Sequence, residues 1–122
     1  MNRPIIWTAT PTEIARRGPR LLEQFRKRWP LALASYKPLK ISIRRDLVAA
    51  GVAQMDATIF MSWYVQQSEY LAAQAEPGAQ RCDLSGQPCG PVSDDNAAYA
   101  AQRTEELRYR AFRRALLDGV GA

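Results

Sequence analysis

Arg81-Cys82-Asp83-Leu84-Ser85-Gly86-Gln87-Pro88-Cys89-Gly90 is the stretch on which the fold turns. Ser85-Gly86 is a two-residue hairpin tip, and its flanks are short enough to be a pair of antiparallel strands. A two-residue loop sets Cys82 opposite Cys89. Pro88, which has no N–H, must then lie on an edge or at a position that donates nothing to the ladder. Apart from one short extended run, every other patterned segment reads as helix, so the predicted fold is mainly α with one short β-hairpin.

Upstream of the hairpin, Pro77 and Gly78 close a long apolar helix predicted from about Gln54 to Gln74. Positions 60, 63, 64, 67 and 71 fall on one stripe at helical spacing, which marks Phe60, Trp63, Tyr64 and Leu71 as core. Tyr70 lies off that stripe. Downstream, Ser93 caps a final helix with Asp94 and Asp95 in its first turn, where the macrodipole favours acids. That helix is expected to run to about Asp118 and to end at Gly119, with Arg103, Arg110, Arg113 and Arg114 giving it a basic side.

Further upstream, residues 37–46 read KPLKISIRRD, four cations beside an apolar alternation. Leu39, Ile41 and Ile43 alternate with Lys40, Ser42 and Arg44, as in a half-buried extended run. A turn into a helix from about Arg45 to Ala50 would hold Lys40, Arg44 and Arg45 near a helix N-terminus, a layout suited to phosphate. A half-buried strand or turn with solvated cations is the alternative. Gly51 is placed to end the short helix in a left-handed cap. At the N-terminus, Ile5, Ile6 and Trp7 form the one apolar cluster of a loose lead-in. Thr10-Pro11-Thr12-Glu13 is a capping-box start, Gly18-Pro19 is expected to break that first helix, and a second runs from about Arg20 to Trp29 until Pro30 stops it. The expected organisation is a basic extension with a short helix over residues 1–20 and a single domain over 21–122 ending in a long helix.

The chain has 122 residues and a net charge of +5, without histidine. The missing histidine removes the commonest general base and the commonest nitrogen ligand, which argues against an enzyme. Asp94 with Asp95 and Glu105 with Glu106 are adjacent on predicted helices and point apart, so neither pair suits acid–base work. Two cysteines cannot complete a zinc site in a monomer, and in a reducing cytosol free thiols are expected over a disulfide. No metal or cofactor is therefore expected. Neither a membrane span nor a secretory signal is visible, so the expected location is cytoplasmic and the expected state monomeric.

Charge is unevenly spread: residues 1–45 carry a net +9, residues 46–95 a net −6 and residues 96–122 a net +2. A polyanion meeting the first third, and the last helix, fits that split; an arm that keeps the protein in solution is the plainer reading. Arg81 is the sole cation of its acidic segment. Beside Tyr70 its guanidinium would make a pocket for a terminal nucleotide, binding phosphate while the ring stacks or hydrogen-bonds. Neutralising Asp83 or Glu76 would explain it as well.

In this order, KPLKISIRRDL, a long helix with Tyr64 and Ser68-Glu69-Tyr70-Leu71, the hairpin R-x-D-L-x-G-x-P-x-G from Arg81 to Gly90, and an Ala-rich capped helix, the chain resembles the FinO/ProQ family of bacterial RNA-binding proteins. The resemblance spans about residues 21–108. It implies a compact helical domain that holds the base of an RNA stem-loop and its single-stranded 3′ end, as at intrinsic terminators of small RNAs and mRNAs. The implied role is post-transcriptional regulation as an RNA chaperone. By position, Lys40, Tyr70 and Arg81 correspond to the 3′-end pocket and its phosphate face, extended by Lys37 and Arg45, with Arg44 in the same run.

One departure bears on affinity. Family members usually carry several cations on the long helix, where this chain has Gln54, Met55, Thr58 and Ser62, and Glu69 precedes the pocket tyrosine. Each lost phosphate contact flattens the salt dependence by roughly one unit. Either Arg16, Arg17, Arg20, Arg26 and Arg28 compensate, or the chain is a family-like scaffold with weakened RNA affinity, a protein-interaction module exposing Met55, Ile59 and Met61.

Overall fold

A computed structural model describes residues 9–120, without the side chain of Val120; the Ile5-Ile6-Trp7 lead-in lies outside the described residues. Thr10 begins the first helix as its sequence requires: its Oγ1 accepts from the Glu13 N–H at 3.1 Å, and Pro11 occupies the first turn. This helix, α1, runs unbroken from Pro11 to Arg28. The expected break at Gly18-Pro19 is absent, and the helix crosses residue 20 without interruption.

The reason is tertiary. A proline inside a helix costs about 3 kcal/mol, but α1 buries Leu21, Leu22 and Phe25 against α4 (Gln54–Tyr64), with the Phe25 and Phe60 rings edge to face at 4.9 Å. Burying each such side chain is worth roughly 1.5–3 kcal/mol, which outweighs the proline. Gly18 serves the same contact. It is buried beneath Trp63, and a Cβ there would sit 2.6 Å from the Trp63 Cβ.

Pro30 stops α1 but opens another helix, α2 (Pro30–Leu33), as a proline at the first helical position can. After it the chain becomes extended, then enters α3 (Ile43–Ala49), which ends at Gly51 with φ of 100°. The long helix expected from Gln54 to Gln74 is two helices: α4, then α5 (Ser68–Ala75), separated by Val65–Gln67 with Gln67 extended. The break resets the helical phase. Ala57, Ile59, Phe60 and Tyr64 are buried on α4, while Tyr70, Leu71 and Gln74 are buried on α5. Tyr70, off the stripe of a continuous helix, is thereby turned inward.

The hairpin pairs β1 (Gln80–Cys82) with β2 (Pro88–Pro91) antiparallel. The tip is a three-residue loop, Leu84 to Gly86, and not the expected two-residue Ser85-Gly86: the Gly86 N–H donates to the Asp83 carbonyl at 2.9 Å and the Asp83 N–H to the Gln87 carbonyl at 3.0 Å. Cys82 therefore faces Pro88 and not Cys89, and a bulge between Arg81 and Cys82 brings Arg81 opposite Gly90. Both thiols are free, Cys82 buried and Cys89 exposed. The Asp83 carboxylate holds the tip by accepting from the Ser85 N–H, the Ser85 hydroxyl and the Gln87 N–H. Last comes α6 (Asp94–Val120), capped by Ser93, whose Oγ accepts from the Asn96 N–H at 3.1 Å. It continues through Gly119. One side packs on α5, burying Ala100, whereas residues 108–119 are all exposed, so the second half of α6 projects from the body.

Candidate nucleic-acid interface

Residues 38–40 run beside β1 and join it through an isolated parallel bridge between Leu39 and Cys82. The Cys82 N–H donates to the Pro38 carbonyl at 3.0 Å and the Lys40 N–H to the Cys82 carbonyl at 2.9 Å. The bulge at Cys82 thus lies where β1 is paired on both sides. Leu39 is locked between them with its side chain in the core. Its peptide groups are taken by two side chains from distant elements: the N–H donates to Tyr70 Oη at 3.2 Å, and the carbonyl accepts from an Arg81 guanidinium N–H at 2.8 Å. Tyr70 and Arg81 therefore converge on one residue from α5 and β1.

They also share a cavity of about 350 Å³, open to solvent, whose polar lining includes Lys40, Tyr70, Gln74, Arg81, Asn96 and Tyr99. Arg81 is 9% exposed, and among the described residues no carboxylate lies within 4 Å of it. Neither Glu76 nor Asp83 neutralises it. Asp83 is committed to the hairpin tip, where the Ser85 hydroxyl and the Gln87 N–H hold its carboxyl below the usual range. Tyr70 is 3% exposed and its ring meets Tyr64 edge to face at 5.1 Å. It forms the cavity floor and fixes the Leu39 peptide; a buried ring offers no free face for stacking. The exposed aromatic of the cavity is Tyr99 on α6, 58% exposed.

Of the other predicted cations, Lys40 lines the cavity and is paired with Asp46 at 3.1 Å. Asp46 lies in the first turn of α3, so the chain itself supplies a carboxylate at the helix start expected to take an anion. Lys37 donates to the Leu31 carbonyl at 3.1 Å, Arg44 approaches the Thr58 hydroxyl at 3.5 Å, and Arg45 is exposed; none of the three lines the cavity. The expected alternation fails at Ile41, which is 81% exposed at the cavity rim because the extended run ends at Lys40 and residues 41–42 form a turn.

Three of the five N-terminal arginines are committed within the fold. Arg17 pairs with Asp56, Arg26 donates to the Leu33 carbonyl and lies over the Tyr36 ring, and Arg28 donates to the Ala50 carbonyl and lies over Trp29. Arg16 and Arg20 are exposed. Of the residues expected to form an apolar docking face, Ile59 is 1% exposed and Met55 and Met61 are half-buried against the core.

The sequence reading missed Gln74, Asn96 and Tyr99. Gln74 had a signal, being one helical turn from Tyr70. Its amide donates to the Asn96 carbonyl at 3.1 Å and so ties α5 to the start of α6 at the cavity wall. Asn96 and Tyr99 had none, because nothing local says which side of an Ala-rich helix meets the hairpin. A second depression, about 410 Å³ between α5 and α6, is walled by Ala72, Leu107 and Ala111; its one cation, Arg108, is paired with Glu105, and Glu69 lies in the same lining, which disfavours a phosphate.

Two solved structures share this fold. A FinO-like RNA chaperone from Neisseria meningitidis MC58 superposes with a TM-score of 0.60 at 23% identity, over 70% of this chain and 92% of that one. A ProQ homolog from Legionella pneumophila superposes with a TM-score of 0.57 at 24% identity, over 86% of this chain and 91% of that one. At such identities the likeness establishes the fold. The model of the ProQ/FINO family matches residues 16–116, which takes in the α1–α4 contact, the hairpin and the cavity together. On that match, over most of its length, the chain belongs to the ProQ/FinO family.

Proposed function

We propose that this protein is a non-catalytic, RNA-binding post-transcriptional regulator that receives the single-stranded 3′ end of an RNA stem-loop, as at an intrinsic terminator, in the cavity between residues 38–40, α5 and α6. The observation that carries the reading is Arg81, a nearly buried guanidinium without a carboxylate partner among the described residues, facing a cavity open to solvent. A buried charge of this kind is costly unless paired, and a phosphate is the bidentate partner for which a guanidinium is built. Family membership and the FinO-like RNA chaperone fold support the same assignment. Lys40 adds a second cation at the rim, Tyr70 holds the cavity open by fixing Leu39, and exposed cations of the first third, Arg16 and Arg20 among them, meet the stem.

The experiment compares three complexes: a terminator hairpin with a free U-rich 3′ tail, the same hairpin with its 3′ end blocked, and the free-tailed hairpin with R81A. R81K, which keeps the charge, controls for folding. Blocking the end and R81A should each weaken binding at least tenfold, with R81K intermediate. Equal affinity in all arms overturns the assignment.

A scaffold that has lost RNA affinity is the second reading, favoured by α4, whose first turns present Gln54 and Thr58 where cations would dock a duplex. A salt-removable 260 nm absorbance in protein purified from cells decides against it.

A further inference from the structure

The cations missing from α4 have a counterpart elsewhere. On α6, Tyr99, Arg103, Arg110, Arg113, Arg114 and Leu117 fall within roughly 100° of the helix circumference, a stripe about 22 Å long from Tyr99 to Arg114; Glu106 lies in the same arc, its carboxylate engaged by Arg103. Tyr99 opens that stripe at the cavity mouth. Arg110, Arg113, Arg114 and Leu117 close it around a shallow depression on the projecting half of the helix. The side of α6 that packs is the neighbouring one: Thr104, Leu107 and Ala111, about 100° around the helix from the centre of the stripe, line a depression with Ser68 and Ala72 of α5.

Along this helix the arginines divide by role. Arg103 is paired with Glu106 and Arg108 with Glu105. Arg110, Arg113 and Arg114 are exposed and make no ion pair among the described residues; Asp118 is the one carboxylate in their depression. Cations near a helix C-terminus are favoured by the macrodipole, and that alone could account for their being basic. It does not account for their sharing one side in line with the cavity mouth, since like charges three and four residues apart repel.

We propose that this face of α6 is a second RNA-contacting surface, a phosphate track on which Arg110, Arg113 and Arg114 hold the RNA backbone leading away from the end seated in the cavity. The inference rests on the proposed RNA-binding reading and adds to it where the backbone runs. It also supplies phosphate contacts in a chain whose α4 carries no cation. The track uses charge and not base-edge readout, so it is indifferent to sequence.

The test is the triple variant R110Q/R113Q/R114Q, with R110K/R113K/R114K as the charge-preserving control. Glutamine has nearly the helix propensity of arginine, so the exposed helix should persist. Affinity for the free-tailed and the end-blocked hairpin is measured between 50 and 200 mM salt. Three phosphate contacts contribute about 2 to 3 units of log–log salt slope, hence roughly 20- to 40-fold in affinity over that range. The glutamine variant should lose that slope while keeping its preference for the free 3′ end, and the lysine variant should keep both. An unchanged slope in a folded glutamine variant overturns the track. Absence of any 3′-end preference in the parent overturns the cavity instead, and the two failures are read from separate columns of the same measurement.

Discussion

Replacing Gly18 by alanine sets two effects of known sign against each other. In the interior of a helix the substitution should stabilise by about 1 kcal/mol, because alanine loses less backbone entropy on folding. In α1 the new methyl would sit 2.6 Å from the Trp63 Cβ. That atom is fixed by the α4 backbone, so no rotation of the indole relieves the contact and the two helices must move apart. Overpacking of this kind costs 1–3 kcal/mol, and at the upper end of that range the net loss is about 2 kcal/mol. For a chain of this size that is roughly an 8 °C fall in Tm. Gly119, also helical but with nothing within 4 Å of its would-be Cβ, provides the internal control, and G119A should be neutral or slightly stabilising. In a W63A background, where only the Cβ contact remains, the penalty of G18A should shrink. Urea unfolding of the four variants and the parent checks the set. If G18A is as stable as the parent, α1 does not rest on α4 at this point and the account of why the helix passes Pro19 fails.

Other expectations follow from single groups. Tyr64 is fully buried and its hydroxyl has no partner among the described residues, so Y64F, which keeps the ring stacked on Tyr36 and Phe60, should be neutral or stabilise by roughly 1 kcal/mol. Burial, with Tyr36 next, pushes the Tyr64 pKa up; the stability this contributes is present below the unfolded value of about 10 and is lost as pH rises beyond it, so Y64F should flatten the alkaline limb of the stability profile. Y70F leaves the Leu39 N–H without its acceptor and should cost roughly 1–3 kcal/mol while accelerating hydrogen exchange at Leu39; unchanged exchange there would show that the phenol does not hold the segment. The depressed Asp83 pKa means its contribution is present above the unfolded value of about 3.9 and is lost as pH falls through the folded value, so protection of the Ser85 and Gln87 amides should fade in that window and D83A should abolish the titration.

The features legible in the sequence are those governed by neighbours within four or five residues. Thr10 and Ser93 start helices because their hydroxyls reach donors three residues on, Gly51 ends α3 because it adopts a positive φ, and the hairpin turns where expected, though through a three-residue loop, Leu84 to Gly86, and not a two-residue one. The aromatics at 60 and 64 are core, as helical spacing places them. For the site, the pairing of Arg81 with Tyr70 was legible only because the family pattern ties two remote positions together. Lys40 was found with them, but its partner Asp46 was not.

What local chemistry misjudged was settled by packing. Gly18-Pro19 reads as a breaker and serves as a close contact, and the Gln54–Gln74 helix is cut in two by a turn that no proline or glycine announces. That turn is what brings Tyr70 inward to Leu39. The three-residue tip sets Cys82 opposite Pro88 and not Cys89, and the bulge follows where Cys82 also pairs with residues 38–40. By itself, then, the sequence determined the mainly helical class, the hairpin, the caps at Thr10 and Ser93 and the basic character of both ends, because each depends on short-range hydrogen bonds and charge. Only the tertiary structure decided which side of α5 and α6 meets the hairpin, and so which groups surround Arg81, because that choice depends on burying surfaces far apart in the chain.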